Sequence, residues 1–330
     1  LGPKGGKRFR PLLLLNGYRT FSHGIEPSQK VIDAAVGLEL LHETALILDD
    51  VIDNSKERRG VSSLWFQFEE MYRLIPLVKG KEFGDAGFLP LIEGKKVASD
   101  IGSLSFSWAR HLMVDVVDKK NKSKVGKVFW QAVADMKRGE EDDSRSALTG
   151  EWPPIEHVLE QFYLKTSSYS MRLPLLYALH TSGATIDDNI LKGVEDFSRG
   201  FGIAFQLHDD LLITKTTKEI GKDSNLDIFN GTKIPIAILA RQFGSDEEKV
   251  FIDKVWGKPA ELTTENIVRL KKIFKTTGAL QRIVEMTKLE IQKAESGLNM
   301  IAQSGFDVSA LRYLLNTGLP WIDDFAEKMV

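Results

Sequence analysis

The residues best suited to chemistry are Asp49, Asp50 and Asp53, which close an apolar run reading Leu46-Ile47-Leu48-Asp49-Asp50-Val51-Ile52-Asp53. On a helix, Asp49 and Asp53 fall one turn apart on one face, with side-chain bases about 5–6 Å apart. Asp50 sits beside them. Carboxylates crowded at the end of an apolar helix repel one another and are costly to desolvate unless a cation joins them. Magnesium suits such a group, because it takes few protein oxygens and completes its shell with water and phosphate oxygens. An acidic helix end exposed to water is the plain alternative for this motif taken alone. The next residues, Asn54-Ser55-Lys56-Glu57-Arg58-Arg59-Gly60, place two arginines close by. A guanidinium forks onto phosphate oxygens as an ammonium does not, so the pair fits a magnesium-bridged diphosphate as well as simple charge neutralisation.

Two further clusters have the same character. Gly5-Gly6-Lys7-Arg8-Phe9-Arg10-Pro11 offers Lys7 and Arg10 at a spacing that lets both face one ligand. Gln206-Leu207-His208-Asp209-Asp210 ends a second long apolar segment and leads to Lys218, Gly221-Lys222-Asp223, Asp227 and Gly231-Thr232-Lys233. A second acidic pair thus precedes a second set of lysines.

In this order the motifs resemble the trans-type polyprenyl diphosphate synthases, the family of farnesyl and geranylgeranyl diphosphate synthases. The resemblance runs over essentially the whole chain. It rests on GGKRFRP, HETALILDDVIDNSKERRG, Lys165-Thr166, and FQLHDD followed by GKD. It implies an isoprenoid-synthase-type helical bundle around a central apolar cavity, which condenses isopentenyl diphosphate head-to-tail with an allylic diphosphate. It implies that Lys7, Arg10, His42 and Arg59 bind isopentenyl diphosphate, and that Asp49, Asp50 and Asp53 hold magnesium on the allylic diphosphate. Arg58, Lys165, Thr166, Gln206 and Lys222 would contact that diphosphate, Lys233 would approach it, and Asp209 would hold a further magnesium, for three ions per site. Homodimers are also implied.

The pattern departs from the family at several points. Ile213 stands where the second motif would carry its third carboxylate, and Thr232 displaces the usual Gly-Lys pair by one position. Residues 69–95 mix Arg, Lys, Gly and Pro with short apolar runs and are expected to form an insertion. Glu140-Glu141-Asp142-Asp143 is expected to be a solvated helix end, with Glu140 the one member placed to contribute. His208 is expected to pack as a polar residue, and Trp130, Tyr163 and Phe205 to belong to the core. By the resemblance, the product tail runs along the helix that carries Asp49, past Ala45, Thr44 and Leu41. None is aromatic, so the expected product is geranylgeranyl diphosphate or longer.

These groups need long helices to position them. Apolar residues recur at three- and four-residue spacing from Val31 to Ile52, Val97 to Val117, Val125 to Lys137, Ile155 to Leu179 and Ile190 to Thr214. The pattern continues from Lys233 to Phe243, Thr264 to Phe274 and Gly278 to Ile301, while strand-like alternation is scarce. The fold class is therefore all-α, and without a Pro- or Ser-rich linker or an internal repeat, residues 1–330 read as one domain. With 330 residues, of which 42% are hydrophobic, a sizeable core is expected.

A net charge of −2 gives no reason to expect a nucleic-acid partner, and the absence of cysteine excludes disulfides, thiol nucleophiles and cysteine-ligated metals. No apolar run is long enough to span a membrane, no signal-peptide pattern is visible, and the cytoplasm is the default location. Two rivals remain. A class I terpene cyclase shares the fold and the aspartate chemistry but leaves Lys7, Arg10 and Arg59 without a purpose. A non-catalytic regulatory subunit would explain Ile213 and Thr232, yet it has no need of an intact first motif with both arginines.

Overall fold

The computed structural model describes residues 8–58, 60–74, 88–214 and 226–319. These residues are almost wholly helical, as the apolar spacing requires, and their one sheet is a two-stranded hairpin. Contacts divide the chain into two compact units, Leu1–Pro11 with Ser28–Lys122, and Leu12–Pro27 with Ser123–Val330. Helix α1 (Phe9–Phe21) contributes to both.

In the first unit the central element is α2 (Gln29–Ile52), whose Val31, Ala34, Ala35, Leu38, Leu41 and Thr44 form a buried stripe at helical spacing. The chain then turns through a hairpin, β1 (Glu57–Arg58) and β2 (Val61–Ser62), into α3 (Leu64–Arg73). Helix α4 (Phe88–Arg110) follows and runs into a π-helical turn, His111–Asp115. Both α2 and α3 pack on α4. The α3–α4 approach depends on Gly94, where a Cβ would lie 2.6 Å from the Trp65 carbonyl oxygen.

The second unit is built on α5 (Lys119–Thr149), which begins in the first unit, and on a continuous rod of α6 (Ile155–Phe162), a π-helical stretch (Tyr163–Arg172) and α7 (Leu173–Ser182). Helix α8 (Asp188–Leu211) starts where the Asp187 carboxylate accepts from the Ile190 amide, and it ends in a 3-10 turn, Leu212–Thr214. There follow α9 (Leu226–Asn230), α10 (Pro235–Phe243), α11 (Asp246–Val255), α12 (Thr264–Thr276), α13 (Ala279–Gln303) and α14 (Ser309–Gly318). Helices α8 and α13 lie antiparallel. Beyond the Asp209 end of α8, Leu207, Leu211 and Ile213 join Ile228, Ile234, Phe251, Trp256, Phe274 and Ile283 in one buried cluster.

Helices α1, α3, α9, α11 and α14 lie outside the segments that the spacing had marked. Of the stretch expected to be an insertion, residues 69–73 belong to α3 and residues 88–95 to α4, while 75–87 lie outside the described residues. Trp130 departs from its expected core role, since it is 48% exposed on α5. Among the described residues, no helix is long and apolar enough to cross a membrane.

Candidate active site

In the first unit, the C-terminal end of α2 carries Asp49 and Asp50, and Asp53 caps the helix through its amide to the Asp49 carbonyl, 2.8 Å. Five residues later the hairpin returns Arg58 to both carboxylates. Its Nη2 donates to Asp49 Oδ2 at 2.7 Å and its Nε to Asp50 Oδ1 at 2.8 Å. Asp50 is buried, and burial pushes its carboxyl up against the opposing pull of Arg58. Burial also works against the Arg58 charge, but the two carboxylates outweigh it and raise its pKa. His42 lies half-buried on α2, two turns before Asp49. Arg10 lies on α1, while Lys7 and Arg59 are outside the described residues.

The residues expected to line the product tail separate. Thr44 and Leu41 are buried, and the Thr44 hydroxyl donates to the carbonyls of Leu40, at 2.9 Å, and Gly102 on α4, at 3.3 Å. Thr44 therefore belongs to the α2–α4 contact, turned from the Asp49 face by more than a quarter-turn, and Leu41 is turned from that face by most of one. Ala45 alone of the three is half-buried.

In the second unit, Lys165 and Thr166 sit in the π-helical stretch and Gln206 and Asp209 on α8. The Thr166 hydroxyl donates to Gln206 Oε1 at 3.1 Å. The Lys165 ammonium lies 2.7 Å from Asp143 Oδ2 and 3.1 Å from Glu140 Oε2. Gly139 permits this approach, because a Cβ there would stand 2.5 Å from the Lys165 backbone nitrogen. Glu141 is exposed, but Glu140, Asp142 and Asp143 are partly buried and ion-paired, so these residues are no solvated helix end. They lie inside α5, which continues to Thr149, and Asp142 pairs with Arg145 and His157. Their role was hidden because Lys165 is remote in sequence, and Gly139 was the one local sign of a close neighbour. His208 is buried, with Nδ1 4.0 Å from Asp209 Oδ1.

Lys222 is outside the described residues, and Lys233 requires a correction. Lys233 is buried, its Nζ donates to the Gly231 carbonyl at 2.8 Å, and it lies 4.8 Å from the centre of the Trp152 ring. Burial pushes its pKa down. An ammonium held between a carbonyl and an indole face braces the turn before α10 and is not presented to a phosphate. Lys233→Met is therefore expected to lower stability by roughly 1–3 kcal/mol while leaving the KM for an allylic diphosphate within about twofold. Urea melts and steady-state kinetics check this, and a tenfold rise in KM with unchanged stability would return Lys233 to the substrate.

The donor types in the first unit fit magnesium. Arg58 takes one oxygen from each of Asp49 and Asp50, and Asp53 lies one turn on. Among the described residues no group of three or more His, Asp or Glu side chains is placed to hold a metal ion by itself.

The model of the polyprenyl synthetase family matches residues 2–275. The chain belongs to that family. A short chain isoprenyl diphosphate synthase of Methanocaldococcus jannaschii is 26% identical over 257 residues, 77% of this chain and 68% of that protein. A geranylgeranyl diphosphate synthase of Sulfolobus acidocaldarius is 25% identical over 316 residues, 94% of this chain and 85% of that protein. Among solved structures, the geranylgeranyl pyrophosphate synthase of Corynebacterium glutamicum, complexed with isoprenyl diphosphate and magnesium, superposes with a TM-score of 0.82 at 24% identity, over 96% of this chain and 87% of that one. The chain is a prenyltransferase that elongates isoprenoid diphosphates, and neither the cyclase nor the regulatory-subunit reading is favoured by these relatives.

Proposed function

We propose that this enzyme joins isopentenyl diphosphate to an allylic diphosphate, makes a product of geranylgeranyl length or longer, and works as a magnesium-dependent homodimer in the cytoplasm. The observation that carries the diphosphate chemistry is the Arg58 clamp, which unites two carboxylates suited to a metal with a guanidinium suited to a phosphate. Asp49, Asp50 and Asp53 would hold magnesium, and Asp209 a further ion, with three in all. Bound there, magnesium would neutralise charge on the departing diphosphate. Arg58, Lys165, Thr166, Gln206 and Lys222 would hold that diphosphate, with Glu140 and Asp143 setting the Lys165 ammonium. Lys7, Arg10, His42 and Arg59 would orient isopentenyl diphosphate.

As the allylic C–O bond breaks, negative charge develops on diphosphate and is met by preorganised Arg and Lys groups. The isopentenyl double bond attacks the resulting cation, and proton loss to the released diphosphate restores a double bond. Exclusion of water protects the cation, and no protein nucleophile is needed.

The family match over residues 2–275 crosses both units, which supports reading the chain as one polyprenyl synthetase domain. A homodimer gains support from large apolar side chains left at the surface, Leu104 and Trp108 one turn apart on α4 and Trp130 on α5.

The test is incubation with magnesium, isopentenyl diphosphate and farnesyl diphosphate, followed by separation of products by chain length. A product of twenty carbons or more, lost with EDTA, is expected; no product from any allylic primer would refute the proposal. Chain length has its own check at Ala45, which is half-buried and preserves the Asp49 face. Ala45→Phe is expected to shift the main product down by at least one isoprene unit. An unchanged product distribution would place the floor elsewhere.

A further inference from the structure

Arg58 acts only if the short loop before it returns the guanidinium to Asp49 and Asp50. The loop has little support of its own. Its hairpin pairs only Glu57 with Ser62 and Arg58 with Val61, and an isolated two-stranded hairpin is marginal in water. Asn54, the first residue beyond Asp53, has φ 54°, in the left-handed region that asparagine tolerates at some cost. Something must hold this turn.

Two side chains outside the aspartate motif do so. Trp65 on α3 is 1% exposed, and its indole N–H donates to the Ser55 carbonyl at 2.9 Å. Lys95 on α4 donates from Nζ to Asn54 Oδ1, and that ammonium lies 5.3 Å from the centre of the Trp65 ring. The close α3–α4 approach at Gly94 brings the two together. Ser55 in turn donates its amide to the Asp50 carbonyl at 3.0 Å, which ties the braced loop back to the helix end. The other side of the loop is secured by the Ser63 amide on the Lys56 carbonyl, 2.8 Å, and by Lys56 over the Phe66 ring, 5.1 Å.

We propose that Trp65 and Lys95 are positioning residues, which pin Asn54 and Ser55 and thereby set the Arg58 guanidinium against Asp49 and Asp50 for diphosphate binding. A tryptophan placed only to fill the α3–α4 contact would not need its N–H aimed at the loop backbone. A lysine placed only for solubility would not lie on that ring with its ammonium on Asn54. The inference rests on the diphosphate reading of the Asp49 site and adds the residues that hold the site in shape.

The test is a double-mutant cycle read by magnesium–pyrophosphate binding in calorimetry and by the KM for farnesyl diphosphate. Trp65→Phe keeps the ring and removes the donor, Lys95→Met keeps the stem and removes the charge, and each is combined with Arg58→Lys. Either single variant is expected to weaken pyrophosphate binding about tenfold, equivalent to roughly 1.4 kcal/mol, and to raise KM more than it lowers kcat. In the Arg58→Lys background the same changes are expected to weaken binding by no more than about twofold, because the group they position has lost its fork. Equal losses in both backgrounds would overturn the proposal, as would a fall in melting temperature with pyrophosphate binding unchanged. If Trp65→Phe does not fold, Lys95→Met decides by the same cycle. Failure of the wild type to make product would count against the synthase reading alone, since the pyrophosphate cycle still decides the positioning.

Discussion

Arg58→Ala is expected to lower kcat/KM for the allylic diphosphate by roughly 10²–10³-fold, with most of the loss in kcat. On the proposed reading the guanidinium meets charge that grows as the diphosphate departs, so its contribution would be larger in the transition state than in the ground state. A second effect acts on the metal. Arg58 holds one oxygen of Asp49 and one of Asp50 and so competes with any cation for them. On the proposed reading, diphosphate would share the guanidinium with the carboxylates and loosen its hold on them, which would couple diphosphate binding to magnesium binding. Removing Arg58 should therefore weaken pyrophosphate in the presence of magnesium while leaving magnesium alone bound as tightly or more so. Arg58→Lys should fall between, because an ammonium cannot span both carboxylates. Single-turnover rates and calorimetric titrations in both orders check this. A rate within threefold of wild type, or equal weakening of magnesium with and without pyrophosphate, would sink the argument.

The legibility of this site depends on how far apart in sequence its partners lie. Asp49, Asp50, Asp53 and Arg58 are separated by less than three helical turns, so spacing alone placed them together, and the Arg58 contacts follow that reading. The long helices α2, α8 and α13 were equally plain, since each buries a stripe that repeats over several turns, whereas α5 was marked only from Val125 to Lys137 and runs on to Thr149. Short elements were not. The β1–β2 hairpin is held by two residue pairs and carries no alternation long enough to detect. Helix α3 packs Trp65 and Glu69 inward, and a buried acid paired with Arg73 does not look like a core position in one dimension. Lys165 with Glu140 and Asp143, and Lys95 with Asn54, join residues far apart along the chain, so neither pairing leaves a local pattern. Lys233 shows the reverse error. Its place after Gly231 suggested a phosphate, whereas Trp152, remote in sequence, decides where it points.

The second aspartate motif supplies the other large expectation, for it looks as though one substitution would complete it. Ile213→Asp is expected instead to destabilise the protein by about 4 kcal/mol or more, a large share of a typical total of about 5–15 kcal/mol, and to abolish rather than raise activity. Helix α8 ends at Leu211, and the 3-10 turn that follows rotates Ile213 away from the side on which a regular helix would place it. The side chain is 3% exposed, in a cluster with Leu207, Leu211, Ile228 and Phe274. A carboxylate there would lose its hydration against that apolar wall, and it would have to remain protonated or expel itself by unwinding the turn. Ile213→Val, which removes only a methyl group, should cost about 1 kcal/mol and leave the reaction intact. Urea melts of the two variants, read beside product formation at a temperature where each is folded, separate the outcomes. A stable Ile213→Asp protein with higher activity would mean that the turn delivers this position to the metal. A loss of several kcal/mol would mean that isoleucine is the price of a dry core beneath Asp209, a core with no room for a third carboxylate.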